Sequence, residues 1–159
     1  MIENKPKYSI IEAKTKLEAY CAYQERCSFE IYQKMRSWNL NFEDQDILVA
    51  DLISNNFLNE ERFAEAYASG KFNIKNWGKT KIKTYLKSKK ISAYSITKAL
   101  KAIDNEDYIK TLEELADKKW SQLTGKHWEK IGKLKRYLHG KGFETELLND
   151  IIQTYIKYE

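Results

Sequence analysis

The chain has 159 residues, 42% hydrophobic and 13% aromatic, with one proline and six glycines. That composition excludes wholesale disorder, and the weight of Lys, Glu, Leu and Ala over β-branched runs favours helix. The net charge of +5 is unevenly spread: residues 1–65 hold 8 Lys/Arg against 12 Asp/Glu, residues 104–159 hold 10 against 11, and residues 66–103 hold ten lysines and no acid.

In chain order, residues 1–20 carry seven charges and no apolar stretch of the kind a signal peptide needs, and no later run is long enough to cross a bilayer, so a cytoplasmic chain is expected. A first helix is marked by Leu17, Tyr20 and Cys21, spaced by three and four. Cys21 and Cys27, read on one helix, point away from each other and are expected to be small, partly buried hydrophobes in a reducing compartment, with neither disulfide nor zinc. Glu30–Met35 forms a second helix, followed by Leu40 and the N-cap type Asn41. Leu48, Val49 and Leu52 mark a third.

This unit recurs twice. Residues 81–86 and 133–138 align without gaps on residues 30–35, at offsets of 51 and 52, and Ile91 and Phe143 take the place of Leu40. Ser92 and Glu144 follow where Asn41 stands. The third helices also align: Ala99, Leu100 and Ile103, then Ile151, Ile152 and Tyr155. Gln45 is the only break, standing where Ile96 and Leu148 stand. Phe63, Ala64 and Tyr67 mark the first helix of the second copy; Leu112, Leu115, Ala116 and Trp120 mark that of the third. Gly70 and Asn76-Trp77-Gly78 are read as the loop before the second copy's middle helix, and Thr124-Gly125 as its counterpart. Asn39, Lys90 and Gly142 stand where a helix end calls for positive φ. The fold class is therefore all-α, three tandem three-helix units of helix-turn-helix type over residues 1–57, 58–105 and 106–159. Period-two alternation is absent, so no strands are expected.

A search for chemistry is mostly negative. Gly78-Lys79-Thr80 lacks the earlier glycine and the strand of a phosphate-binding loop, so Gly78 is read as permitting a turn. His127 and His139 sit among lysines without ligand spacing and are read as surface or boundary residues. No catalytic residue, metal, cofactor or small-molecule substrate is expected. On a helix over residues 79–90, Ile82, Tyr85 and Leu86 mark the buried stripe, and Lys79, Lys83, Lys87 and Lys90 fall along an adjoining face. Lys130, Lys133 and Arg136 repeat the theme. These seven cations are the candidate surface for a filament or nucleic acid, the alternative being a lysine face kept for solubility. Trp77 and Trp128 precede the two basic helices and could stack on bases or seal a core; the core reading is favoured.

Leu58-Asn59-Glu60-Glu61-Arg62-Phe63-Ala64, then Trp77-Gly78 with Ile82 and Leu86, then Gly142-Phe143, together with the run Tyr20–Ser28, resembles the RecX family in order and spacing. The likeness spans about residues 11–158, with Asn59 where the family often has an acid and Lys90 where it often has glycine. The resemblance implies a modified three-helix repeat used three times in a curved, elongated molecule. It also implies a regulator of homologous recombination, DNA repair and the SOS response. Such a regulator binds the RecA–DNA filament, typically limiting its growth, strand exchange and ATP hydrolysis, with some affinity for DNA and no catalytic residues. The competing reading is a DNA-binding helical module acting without RecA. Base-reading helices expose Arg, Asn or Gln, whereas residues 79–90 offer lysine, which suits a sequence-independent grip.

Overall fold

The computed structural model describes residues 5–157; the first four and last two residues of the expected outer units, with the Tyr158 end of the family-like span, lie outside the described residues. Nine helices follow one another, and no strand occurs among the described residues. The first triplet is α1 (Ile10–Tyr23), α2 (Ser28–Arg36) and α3 (Phe42–Ser54). The second is α4 (Glu60–Lys75), α5 (Lys79–Ser88) and α6 (Ala93–Lys101). The third is α7 (Asn105–Gln122), α8 (His127–Gly140) and α9 (Thr145–Ile156). The fold is all-α, built of tandem three-helix repeats.

The helix starts are set locally. The side chains of Ser9, Asn41, Asn59, Ser92 and Asp104 each accept a hydrogen bond from the amide three residues on, as N-caps do. Between the second and third helices of every triplet the chain turns through a positive φ, at Asn39 (57°), Lys90 (62°) and Gly142 (92°). The aligned columns are also the packed ones: Ile31, Ile82 and Leu134, then Met35, Leu86 and Leu138, are fully buried, and Leu40, Ile91 and Phe143 nearly so. Gln45 fills its column as well, because its buried Nε2 donates to the Leu40 carbonyl at 2.7 Å. A polar residue in the apolar register thus keeps its buried amide nitrogen paired.

Two cores result. One lies within the first triplet, around Leu17, Cys21, Ile31, Met35, Trp38 and Leu52. The other runs without interruption through α4–α9, from Phe63 and Leu86 to Tyr108, Leu112, Leu138 and Phe143, and takes in Cys27. The two cysteines therefore do not share a helix: Cys21 lies on α1, Cys27 is the N-cap of α2, and the chain is extended at Gln24 between them. Both are buried more completely than the partial burial expected, and burial pushes both thiols up to about 11. Gly70 is likewise not in a loop but inside α4, which continues to Lys75. Tyr85, read as buried, is 44% exposed, since Ile82 and Leu86 alone complete the inner face of α5.

Candidate interaction surface

The acid-free lysine stretch folds into most of α4, all of α5 and α6. Of its ten lysines only Lys89 and Lys98 lie in ion pairs among the described residues, with Glu30 at 3.4 Å and Glu61 at 2.7 Å. The Glu61 carboxylate, by hydrogen bond and charge, pulls the exposed Lys98 ammonium above its ordinary value. The field of the remaining eight is not cancelled internally.

The seven expected cations are not equally exposed. Lys83 and Lys87 are exposed one turn apart on α5, and Lys90 is exposed on the turn that follows, not on the helix. Lys79 departs from this stripe. It is half-buried, its Nζ lies 4.8 Å from the centre of the Tyr108 ring, and its amide donates to the Tyr108 hydroxyl at 2.9 Å. It belongs to the packing between triplets because α5 begins against α7. On α8, Lys133 and Arg136 are exposed, while Lys130 is half-buried with its Nζ 4.2 Å from the Trp120 ring.

A second group of cations had no signal in the repeat. Lys71 on α4 and Lys81 on α5 flank the Trp77 ring at 4.9 and 4.5 Å, and Tyr85 packs on that ring at 4.8 Å. Lys141 of the third triplet reaches the Lys75 carbonyl at 3.2 Å, bringing a further cation to the same junction. Lys71, Trp77, Lys81 and Tyr85 meet where α4 turns into α5, and Lys141 joins them only because the second and third triplets abut. Trp77 is half-buried on the shared core, as favoured, whereas Trp128 is 70% exposed and belongs to no core. Trp128 misses the core because His127, next to it, is the residue that turns inward, edge-on to Trp120 at 5.6 Å.

Gly78 does something other than allow a turn. Its φ of −76° and ψ of 165° suit any residue. A Cβ there, however, would stand 2.3 Å from the carbonyl carbon and oxygen of Gly142, and a Cβ on Gly142 would stand 2.1 Å from that of Lys81. The two backbones touch: the Gly78 amide donates to the Lys141 carbonyl at 2.7 Å and the Thr80 amide to the Gly142 carbonyl at 2.9 Å. The amides a phosphate loop would direct at a ligand are spent on the neighbouring triplet.

The first junction is more open. A cleft of about 820 Å³ lies between the first and second triplets, lined among others by Tyr32, Arg36, Lys90 and Tyr94. At its edge Glu60 accepts from the Ser92 amide at 3.0 Å and from the hydroxyls of Ser92 and Ser95. Partial burial pushes the Glu60 carboxyl up, but those three donors outweigh it and hold it below the usual range. Among the described residues no three metal-ligating side chains converge, and no helix is long and apolar enough to cross a membrane.

The chain matches the family models described as RecX, second three-helix domain, over residues 59–100, and RecX, third three-helix domain, over residues 106–152. It is similar to the regulatory protein RecX of Clostridium perfringens, 36% identical over 101 residues that make up 62% of this chain and 47% of that protein. It is also similar to the regulatory protein RecX of Clostridium acetobutylicum, 29% identical over 129 residues covering 78% of this chain and 59% of that protein. The chain thus spans about half the length of these relatives. The crystal structure of RecX from Lactobacillus salivarius superposes with a TM-score of 0.80 at 25% identity, covering 93% of this chain and 97% of that one. A second RecX structure, at 21% identity and a TM-score of 0.81 over 89% of this chain and 72% of that one, shares the fold. Two consecutive three-helix models, named relatives along the sequence and the same helical repeat in space agree: the chain belongs to the RecX family of regulatory proteins.

Proposed function

We propose that this protein is a non-enzymatic regulator that binds the RecA–DNA filament and limits its growth, strand exchange and ATP hydrolysis, with residues 1–57, 58–105 and 106–159 as its three units. Membership of a family of regulatory proteins supports the regulatory role. The single observation that carries the binding reading is the eight lysines of residues 66–103 without a carboxylate partner among the described residues. A filament offers DNA phosphates and acidic protein side by side, and ammonium groups serve both. Lys83, Lys87 and Lys90 of the second triplet and Lys133 and Arg136 of the third are the contacts we assign. Lys79 and Lys130 support them from within the packing. DNA is gripped weakly and without regard to sequence, the setting is the cytoplasm, and no cofactor takes part.

The test compares wild type with a Lys83→Glu, Lys87→Glu variant on RecA filaments on single-stranded DNA. Both residues are exposed, so helical content should stay unchanged while filament binding weakens and RecA-driven ATP hydrolysis recovers. Wild-type affinity should fall steeply with salt, and the variant's salt slope should be shallower. A variant that inhibits as well as wild type makes the lysines a solvated face. Wild-type binding to bare DNA as tight as to the filament favours a module that acts on DNA without RecA.

A further inference from the structure

One stripe of α8 is not explained by the core. Leu134 and Leu138 mark the buried side of this helix. Trp128, Gly132, Lys135, Arg136 and His139 fall on the other, within roughly 100° of arc at 3.6 residues per turn. A lone exposed aromatic is ordinary on a protein surface. What sets Trp128 apart is the residue one turn on. Gly132 lies inside a helix, where glycine is less favourable than alanine. Its φ is not positive, and a Cβ built on it meets nothing within 4 Å. Neither backbone conformation nor packing within the chain calls for glycine here. A helical side chain leans towards the N-terminus, over the turn before it, so a long side chain at 132 would extend over the turn that carries Trp128. Glycine leaves that part of the stripe bare down to the backbone.

The surroundings say what fits such a shelf. Lys135, Arg136 and His139 are exposed along the stripe, Lys126 is exposed at the start of the helix, and none has an ion-pair partner among the described residues. Glu129 is the only carboxylate on α8. A stripe that carries both exposed cations and a flat aromatic suits an anion with a π-face, and is a poor match for an apolar protein pocket. In a duplex the base faces already stack on one another; in a single strand they are free. We infer that Trp128 and Gly132 form a stacking platform for an unpaired nucleobase, with Lys135 and Arg136 on the adjoining phosphates, so that the nucleic acid this surface takes is single-stranded. This rests on the proposed function only in taking nucleic acid as part of the complex.

The experiment measures binding of purified protein to a fluorescein-labelled oligothymidylate and to an abasic strand of the same length, across a salt series. Trp128→Ala should weaken oligothymidylate binding about tenfold, the lower part of the range for one stacked base, with the salt slope unchanged. The abasic strand should bind wild type as weakly as oligothymidylate binds the variant, and the variant should not distinguish the two strands. Gly132→Leu should raise thermal stability, because leucine favours helix and its Cβ enters open space, yet weaken oligothymidylate binding severalfold. A merely structural role for Gly132 cannot give that pair of results. Unchanged binding by both variants, or indifference of wild type to the bases, would overturn the platform. Loss of RecA-filament binding with oligothymidylate binding intact would overturn it too, by placing Trp128 against protein. The Lys83→Glu, Lys87→Glu variant should still tell thymidine from abasic strand, so failure of the lysine surface and failure of the platform read out separately.

Discussion

The two junctions between successive triplets occupy equivalent places in the repeat and are built from opposite materials. At the second, backbone meets backbone: Gly78 and Gly142 approach too closely for any side chain, two amide–carbonyl bonds cross, and Tyr108 packs between Phe72 and Phe143 at 5.6 and 5.2 Å. The Tyr108 hydroxyl donates to Glu144 while accepting the Lys79 amide, and burial together with that carboxylate pushes it far above the usual tyrosine value. At the first junction, Cys27 stands where Gly78 stands and Lys90 where Gly142 stands. Long side chains do the joining there. Glu25 pairs with Arg62 at 2.5 Å, Arg62 also donates to the Asn56 and Phe57 carbonyls, and Glu30 pairs with Lys89 at 3.4 Å. Backbone contact under an aromatic stack is dry and geometrically unforgiving, and it merges two triplets into one core. Partly exposed ion pairs are weaker and screened by salt, and with only Cys27 and Phe29 reaching the other core they leave the first triplet with a core of its own.

The largest effect is expected where the core is shared. Leu86→Asp should cost more than about 3 kcal/mol by burying a charge with no partner, and should raise amide exchange across α4–α9 together. Exchange confined to α5 would show that the second and third triplets are not one cooperative block. Gly78→Ala should cost about 2–3 kcal/mol by forcing two backbones apart. The equivalent Cys27→Ala should cost about 1 kcal/mol, since only a small buried side chain is lost. Equal penalties in chemical denaturation would erase the contrast between the junctions. Glu30→Gln should destabilise by about 1 kcal/mol or less, and the difference should shrink in high salt. The smallest effect is a pH dependence. The Glu60 carboxyl is held low in the folded protein, so its contribution is complete above the unfolded carboxylate range and is lost as pH falls through it. Partial exposure keeps this below about 1 kcal/mol. Glu60→Gln should flatten the stability profile on the acid side of pH 5, and an unchanged profile would place the sensitivity elsewhere.

Much of the fold was legible in the residues alone, because it is local. Apolar spacing of three and four, N-cap residues and a repeat offset of 51–52 are properties of short segments, and they located the nine helices, the buried columns and the positive-φ turns at Asn39, Lys90 and Gly142. Family membership was legible for the same reason, since the Leu58–Ala64 run and the Trp77-Gly78 pair are contiguous. The candidate surface was legible only as charge. Composition shows that residues 66–103 hold lysine without acid, but a helical wheel cannot show which lysine another helix will cover. Tyr108 claims Lys79 and Trp120 claims Lys130, each from a different helix. The same limit hid the Trp77 cluster, the exposure of Trp128 and the true demand for glycine at 78. In each case the deciding neighbour lies on another element, within the triplet for Trp77 and Trp128 and across the second junction for Gly78, and periodicity along one helix does not show it. Sequence periodicity determined what each helix buries; tertiary packing decided which cations and aromatics were left over for a partner.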